Sequence, residues 1–218
     1  MVRIVFLLNN HFNHIKYFIV MKKLAVIAVM ALLMGACQAN KQNDAADGQQ
    51  AAGEGTSKTT LVAYFSASEA HVTAQVAKTL AEATDADLFE IVPEKIYTAE
   101  DLDWHNEQSR STIEMKDSTA RPAVASKVEN MAQYNTIYVG FPIWWYTAPR
   151  IINTFLEQYD LTGKTIIPFA TSGGSDMGKS GEDLKKASAP NANWILPGKV
   201  LNGNPPVDSL KTWIETLK

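Results

Sequence analysis

Residues 137–141 (IYVGF) are apolar at every position except Gly140. Alternation would mark a strand exposed on one face; an unbroken run marks one covered on both faces, as in a parallel sheet. Pro142, with no N–H to donate, ends the ladder. The same reading gives strands over Thr59–Phe65 and Asp87–Val92, the latter closed by Pro93, and over Thr165–Ala170. A fifth strand lies within Trp194–Leu201, interrupted by Pro197-Gly198. Between these runs the apolar period lengthens to that of a helix. Val72, Val76, Leu80 and Ala83 form one stripe, ending near Thr84. Pro122 starts a second predicted helix at its favoured first position, with Val124, Val128 and Met131 inward. A third is capped by Thr147, has Pro149 in its first turn, and buries Ile151, Ile152, Phe155, Leu156 and Tyr159. Glu182–Ala189 forms a fourth, and Pro206 begins a last one with Val207, Leu210, Ile214 and Leu217 inward. The polar stretch Tyr97–Arg121, which contains Trp104, His105, Arg110 and Arg121, reads as a long ordered excursion over the surface.

Apolar strands alternating with helices give an α/β fold: a parallel sheet with helices on both faces. Five strands predict the doubly wound order 2-1-3-4-5, whose switch point lies between strands one and three. The loops meeting there are Ser66–Thr73 and Pro142–Thr147, with Thr171–Gly178 beside them. The second of these holds Trp144, Trp145 and Tyr146 in succession, and flat side chains at such an edge suit a flat aromatic ligand. A ring buried as ordinary packing is the competing reading for any one of them.

The ends of the chain change the picture. Met21-Lys22-Lys23 offers a second start, and we expect translation to begin there; the role of residues 1–20 is open. Two lysines, an apolar run over Leu24–Ala36 and then Cys37 have the pattern of an export signal. That run is shorter than the ~20 residues needed to span a bilayer. Met34-Gly35-Ala36-Cys37 resembles a bacterial lipobox, which implies lipidation of Cys37, anchoring on the periplasmic side of the envelope, and removal of residues 1–36. Cleavage near the same point without lipidation is the alternative. Cys37 is the one cysteine of the 218 residues, so no disulfide forms within the chain. Residues 38–58 lack any aromatic or β-branched aliphatic side chain and read as a flexible linker with a reach of roughly 25 Å. The remainder, 59–218, is one domain of ordinary size. Twenty Lys and Arg stand against 23 Asp and Glu; losing the four basic residues before Cys37 leaves sixteen against 23, a net charge of −7. That balance argues against nucleic acid as a partner.

Val62-Ala-Tyr-Phe-Ser66, Gly140-Phe-Pro-Ile-Trp-Trp145 with Thr147 and Pro149, and Ile167-Pro-Phe-Ala-Thr-Ser-Gly-Gly-Ser175 together resemble the flavodoxin family, over Thr59–Lys218. The resemblance implies bound FMN and electron transfer. It implies that Ser66, Ala67, Ser68, His71, Val72 and Thr73 surround the FMN phosphate. A helix N-terminus at Thr73 suits an anion physically; ordinary helix capping by these hydroxyls is the other reading. Pro142, Ile143, Trp144, Trp145, Tyr146 and Thr147 would meet the isoalloxazine and ribityl chain, with a Trp stacked on the ring. Thr171, Ser172, Gly173, Gly174 and Gly178 would offer backbone groups to its pyrimidine side. The chain departs from the family in two places. Its phosphate loop is two residues longer than Ser-Gly-Asn-Thr, contains Glu69 and lacks glycine. Met177 stands where an aromatic often covers the second flavin face.

Gly173–Ser180 also matches a phosphate-binding Gly-x4-Gly-Lys-Ser pattern literally. Only 38 residues follow Ser180, too few for the downstream strands and magnesium-binding Asp of such an enzyme, and Lys179 reads as a solvated residue at a helix start. Three functions remain open: an FMN electron carrier at the envelope, with an unknown redox partner protein; an FMN-dependent oxidoreductase passing electrons from a nicotinamide donor to a quinone; and a cofactor-free envelope binding lipoprotein, favoured by the altered phosphate loop.

Overall fold

The structure is a computed structural model and describes residues 58–217. The expected export signal, Cys37 and residues 38–57 of the linker lie outside the described residues. Lys58, assigned to the linker's end, reaches Asp85 with its Nζ 3.1 Å from Oδ1. No helix among the described residues is long and apolar enough to cross a membrane.

Strands β1 (Thr60–Tyr64), β2 (Asp87–Glu90), β3 (Thr136–Pro142), β4 (Thr165–Thr171), β5 (Asn193–Trp194) and β6 (Lys199–Val200) form one sheet. Its order is β2-β1-β3-β4-β5, with β6 also on β4, and every pairing is parallel. This is the expected doubly wound order. The helices are α1 (Val72–Thr84), α2 (Arg110–Lys116), α3 (Arg150–Leu156), α4 (Ser180–Ser188) and α5 (Val207–Glu215).

The unbroken apolar runs have the expected cause. Leu61, Ala63 and Phe65 of the first strand region, with Ile137, Val139 and Phe141 of β3, face one core shared with Ile151, Ile152, Phe155 and Leu156 of α3. Val62, Tyr64, Tyr138, Ile167 and Phe169 face the other, under Val76, Ala77 and Leu80 of α1 and Leu210 and Trp213 of α5. Gly140 breaks the run for a steric reason. It lies opposite Phe169 in register, and a Cβ there would sit 2.1 Å from Phe169 Cζ.

The break in the fifth strand also has a physical origin. Ile166 and Ala170 accept from Ile195 and Leu201, so alternate residues of β4 turn their polar groups to that side. Pro168 lies midway between them and has no N–H to offer. The neighbouring chain leaves the ladder at Leu196–Gly198 and returns as β6. Gly198 passes at φ 88°, where a Cβ would meet Pro168 O at 2.2 Å.

Two helix expectations are corrected. The segment after Pro122 is extended: Val124 bridges Pro93 antiparallel, with Glu94 N bonded to Ala123 O at 2.9 Å and Ala125 N to Val92 O at 2.8 Å. Val124, Val128 and Met131 do face the core, but the helical part is only a 3₁₀ turn, Met131–Gln133. Pairing with the chain beyond β2 satisfies the backbone that a helix would have satisfied internally. Conversely, the excursion 97–121 contains α2, capped by Ser109, whose hydroxyl accepts from Thr112 N. Thr147 does not cap α3; Pro149 stands at that position and makes no side-chain cap.

Candidate functional site

The loop after β3 is the most unusual backbone in the domain. Trp144 and Thr147 exchange both backbone hydrogen bonds at 3.0 Å, closing a two-residue turn. The two residues in the turn, Trp145 and Tyr146, have φ of 46° and 63°. Turns with two positive φ values ordinarily take Asn-Gly. Two aromatic residues there carry backbone strain, which clusters at functional sites. The turn separates the three rings. Trp144 folds inward, edge-on to Phe65 at 5.7 Å and to Tyr97 at 5.4 Å between centroids. Trp145 is 41% exposed and Tyr146 78%. Core packing therefore holds for Trp144, and a presented aromatic surface for its two successors. Thr147 completes the turn through its backbone.

The loop after β4 is ordered from within. Ser172 Oγ accepts from Gly174 N at 3.1 Å and Ser175 N at 2.6 Å, while Ser172 N is held by Asn202 Oδ1 at 2.9 Å. Gly178 has φ 47°, and its Cα hydrogen faces Tyr146 O closely enough that a Cβ would lie 3.5 Å away. Met177, which stands where the family often has a covering aromatic, is buried in the core and covers no exposed ligand face. Lys179 is exposed at the start of α4, as expected.

Between these two loops lies a cavity of about 730 Å³. Residues 143–146 and 172–175 line it from the carboxyl ends of β3 and β4. The remaining lining residues, Leu102, Trp104 and Ser111, come from the excursion. These three, with Ser175, are additions to the expected set. Trp104 and His105 belong to the stretch expected to run over the surface; the structure sets their rings 3.5 Å apart between centroids, tilted by 33°, and places Trp104, 66% exposed, on the cavity. An aromatic residue stranded in a polar segment was the signal available. Pro142 and Thr171, paired in register at the strand ends, stand beneath the lining residues.

The excursion is braced under Trp144. Tyr97 OH donates to Glu114 Oε2, and Arg110 Nε lies 2.6 Å from Glu114 Oε1. Arg110 also covers the Tyr97 ring at 3.9 Å and bonds Lys95 O at 2.6 Å. Burial, and after it the bond to Glu114, pushes the Tyr97 hydroxyl well above the ordinary tyrosine range.

The first loop stands apart from this cavity, since none of residues 66–73 lines it. Ser68 O accepts from His71 N at 3.0 Å, and His71, at φ 49°, precedes α1 without any side-chain cap. The hydroxyls of Ser66, Ser68 and Thr73 are thus not ordinary caps. The N–H groups of Val72, Thr73 and Ala74 have no carbonyl one turn back within the helix. Ser66 Oγ is buried and has no hydrogen-bond partner. The Thr73 hydroxyl is already engaged, 2.7 Å from Thr171 Oγ1, with both residues buried. Ala67 packs on the core, while Ser68 and His71 are exposed.

Comparisons with known proteins extend these observations. The flavodoxin family profile matches residues 59–217. None of the curated proteins compared matches the chain. A Bacteroides uniformis protein described as a flavoprotein is 53% identical at TM-score 0.67, covering 72% of this chain and 97% of its own. A Bacteroides eggerthii protein so described is 47% identical at TM-score 0.69, covering 73% and 97%. A Lactobacillus acidophilus flavoprotein solved in complex with FMN shares the fold at 22% identity and TM-score 0.53, covering 66% and 93%. Over most of its length, this chain belongs to the flavodoxin family.

Proposed function

We propose that the domain binds FMN and serves as a redox flavoprotein that carries electrons at the cell envelope. The observation that carries this reading is the strained Trp145–Tyr146 turn, which presents aromatic surface over a cavity at the carboxyl edge of the sheet. Family membership supports it, as does the FMN bound by the Lactobacillus acidophilus relative.

The residues present fit the cofactor. The unpartnered Ser66 hydroxyl and the first N–H groups of α1 form a place for a phosphate, favoured by the helix dipole. Trp145 and Tyr146 supply a stacking surface, and the loop at 172–175 supplies backbone N–H and C=O groups to the ring's polar edge. Thr73 enters through its backbone N–H; its hydroxyl joins α1 to the end of β4 through Thr171. When bound, FMN supplies one- and two-electron redox chemistry that no side chain in the site can perform. The protein's part would be to hold the ring in the cavity against Trp145 and Tyr146. The visible absorption spectrum of the purified protein, before and after reconstitution with FMN, tests this reading. A flavin spectrum shifted from that of free FMN is expected; a protein that stays colourless after reconstitution returns the case to a cofactor-free binding lipoprotein.

We further propose that Cys37 is lipidated and tethers the domain to the envelope through residues 38–58, on the strength of the lipobox-like sequence at 34–37. One acyl chain gives marginal binding, so a stable anchor uses several. Cys37→Ser is expected to release the protein from membranes; a variant that still fractionates with membranes contradicts the anchor.

A further inference from the structure

Behind the cavity lies a buried cluster, Tyr97, Glu114 and Arg110, to which flavin binding assigns no task. We propose that Tyr97 is a one-electron donor: it passes an electron through Trp144 to an oxygen- or nitrogen-centred radical that reaches the cavity, and gives its phenolic proton to Glu114. The device is made of this chain's own side chains and operates with or without a bound flavin.

Three features make the route. Trp144 lines the cavity, and the same ring meets Tyr97 edge-on at 5.4 Å between centroids. Aromatic rings in contact exchange electrons readily, and tryptophan and tyrosine are the side chains that lose one most easily without a metal or thiol. Second, the Tyr97 hydroxyl donates to Glu114 Oε2, so a base stands within hydrogen-bond reach of the proton that must leave. Third, Tyr97 does not line the cavity and is itself buried, with Phe65 at 5.7 Å and the Arg110 guanidinium over its ring at 3.9 Å. A radical formed there cannot meet one on another chain. Tyr134 shows that a carboxylate partner alone does not make such a donor. Its hydroxyl donates to Asp87 Oδ2 at 2.7 Å and it too is buried. Tyr134 lies just before β3 and Asp87 opens β2, so this pair sits at the amino edge of the sheet, away from the cavity.

The step balances. Trp144 loses one electron to the incoming radical, which becomes its closed-shell anion. Tyr97 returns an electron to Trp144, and its O–H proton moves to Glu114 Oε2. Trp144 ends as it began, Glu114 is a neutral acid, and Tyr97 is a neutral phenoxyl radical. The net charge of Tyr97, Glu114 and Arg110 rises from zero to plus one, the charge of the electron that left. Arg110 opposes the step in part. A cation over the ring disfavours loss of an electron, and its contact with Glu114 weakens the base. An oxidised phenol is a strong acid, however, so a carboxylate already bonded to it suffices. Burial and the bond to Glu114 keep the unoxidised phenol protonated, which couples electron loss to proton transfer.

The test is pulse radiolysis of the purified chain with azide radicals, which oxidise tryptophan faster than tyrosine at neutral pH, using fewer radicals than chains. The absorption of the tryptophan radical is followed against that of the tyrosyl radical, with and without FMN. A phase independent of protein concentration is expected, in which the tryptophan signal decays as the tyrosyl signal grows, and it is expected to slow in heavy water. Tyr97→Phe is expected to remove this phase. Tyr134→Phe and Tyr146→Phe, the latter removing the exposed tyrosine beside Trp145, are expected to retain it. Trp144→Phe, which keeps a ring but resists oxidation, is expected to slow it. Glu114→Gln is expected to slow it and to remove the isotope effect; if urea unfolding shows that variant to be misfolded, the isotope effect in the unaltered chain decides. Because azide supplies the oxidant, a chain that takes up no flavin refutes the flavin reading alone and leaves this test intact. The proposal is overturned if the unaltered chain shows no such phase or no isotope effect, or if the phase is unchanged in Tyr97→Phe or in Trp144→Phe.

Discussion

Trp144 and Trp145 are neighbours in sequence with opposite environments. Trp144 is wedged edge-on between Phe65 and Tyr97, and Trp145 is 41% exposed over the cavity. Truncating them is expected to separate stability from binding. Trp144→Ala is expected to cost on the order of 3 kcal/mol in urea unfolding, as for other large aromatic truncations in packed surroundings. Trp145→Ala is expected to leave the unfolding midpoint nearly unchanged and to weaken flavin binding by ~1–3 kcal/mol, the range for loss of a stacked ring. Equal flavin affinity in both variants would show that neither ring contacts the ligand. The sequence made clear that three rings followed a buried strand. It did not show which ring turned inward, because that depends on φ at Trp145 and Tyr146 and on Phe65 and Tyr97, which are far away in the chain. The Thr73–Thr171 bond was hidden for the same reason: 98 residues separate its partners.

At the scale of elements, the turn itself is the point of tension. Its two positive φ values are held by non-glycine residues, each at a cost of about 1–3 kcal/mol. Replacing Trp145-Tyr146 by Asn-Gly is expected to raise thermal stability by about 1–3 kcal/mol and to abolish the aromatic surface over the cavity, so that stability and flavin affinity move in opposite directions. A destabilised double variant would mean that the rings are structural. The strands were legible because both sheet faces are covered, which leaves an unbroken apolar run as the trace. The β2–β3 connection was not. The helical spacing of Val124, Val128 and Met131 is equally compatible with an extended chain touching the core at intervals, and pairing with Pro93 decided it. The seven residues of α2 are marked by the Ser109 cap and little periodicity, too few turns for a stripe to stand out.

At the scale of the whole molecule, five tyrosines among the described residues share one titration behaviour. Burial raises the hydroxyls of Tyr64, Tyr97, Tyr134, Tyr138 and Tyr159 above their ordinary value of 10.0. In each case the folded state keeps its proton when the unfolded chain would lose it. The unfolded state then binds fewer protons, so stability falls as pH rises. The contribution is intact below pH 10 and is lost above it. Urea midpoints measured on both sides of that value are expected to be flat just below it and to drop steeply above. Tyr97→Phe, which removes the strongest of these groups, is expected to flatten the drop; an equally steep decline in that variant would contradict the assignment.

The fold was legible as a whole because strand order follows from alternating elements; the order pointed to the carboxyl edge between β1 and β3, whereas the cavity opens at that edge beyond β3 and β4 and the loop after β1 stands apart from it. The central claim is that this edge binds a flavin. The most direct measurement is a titration of FMN fluorescence with the purified chain, run in parallel on Trp145→Ala. The account predicts quenching that saturates at one FMN per chain and shifts to higher protein concentration in the variant. FMN that keeps its full fluorescence in the presence of excess protein would contradict it.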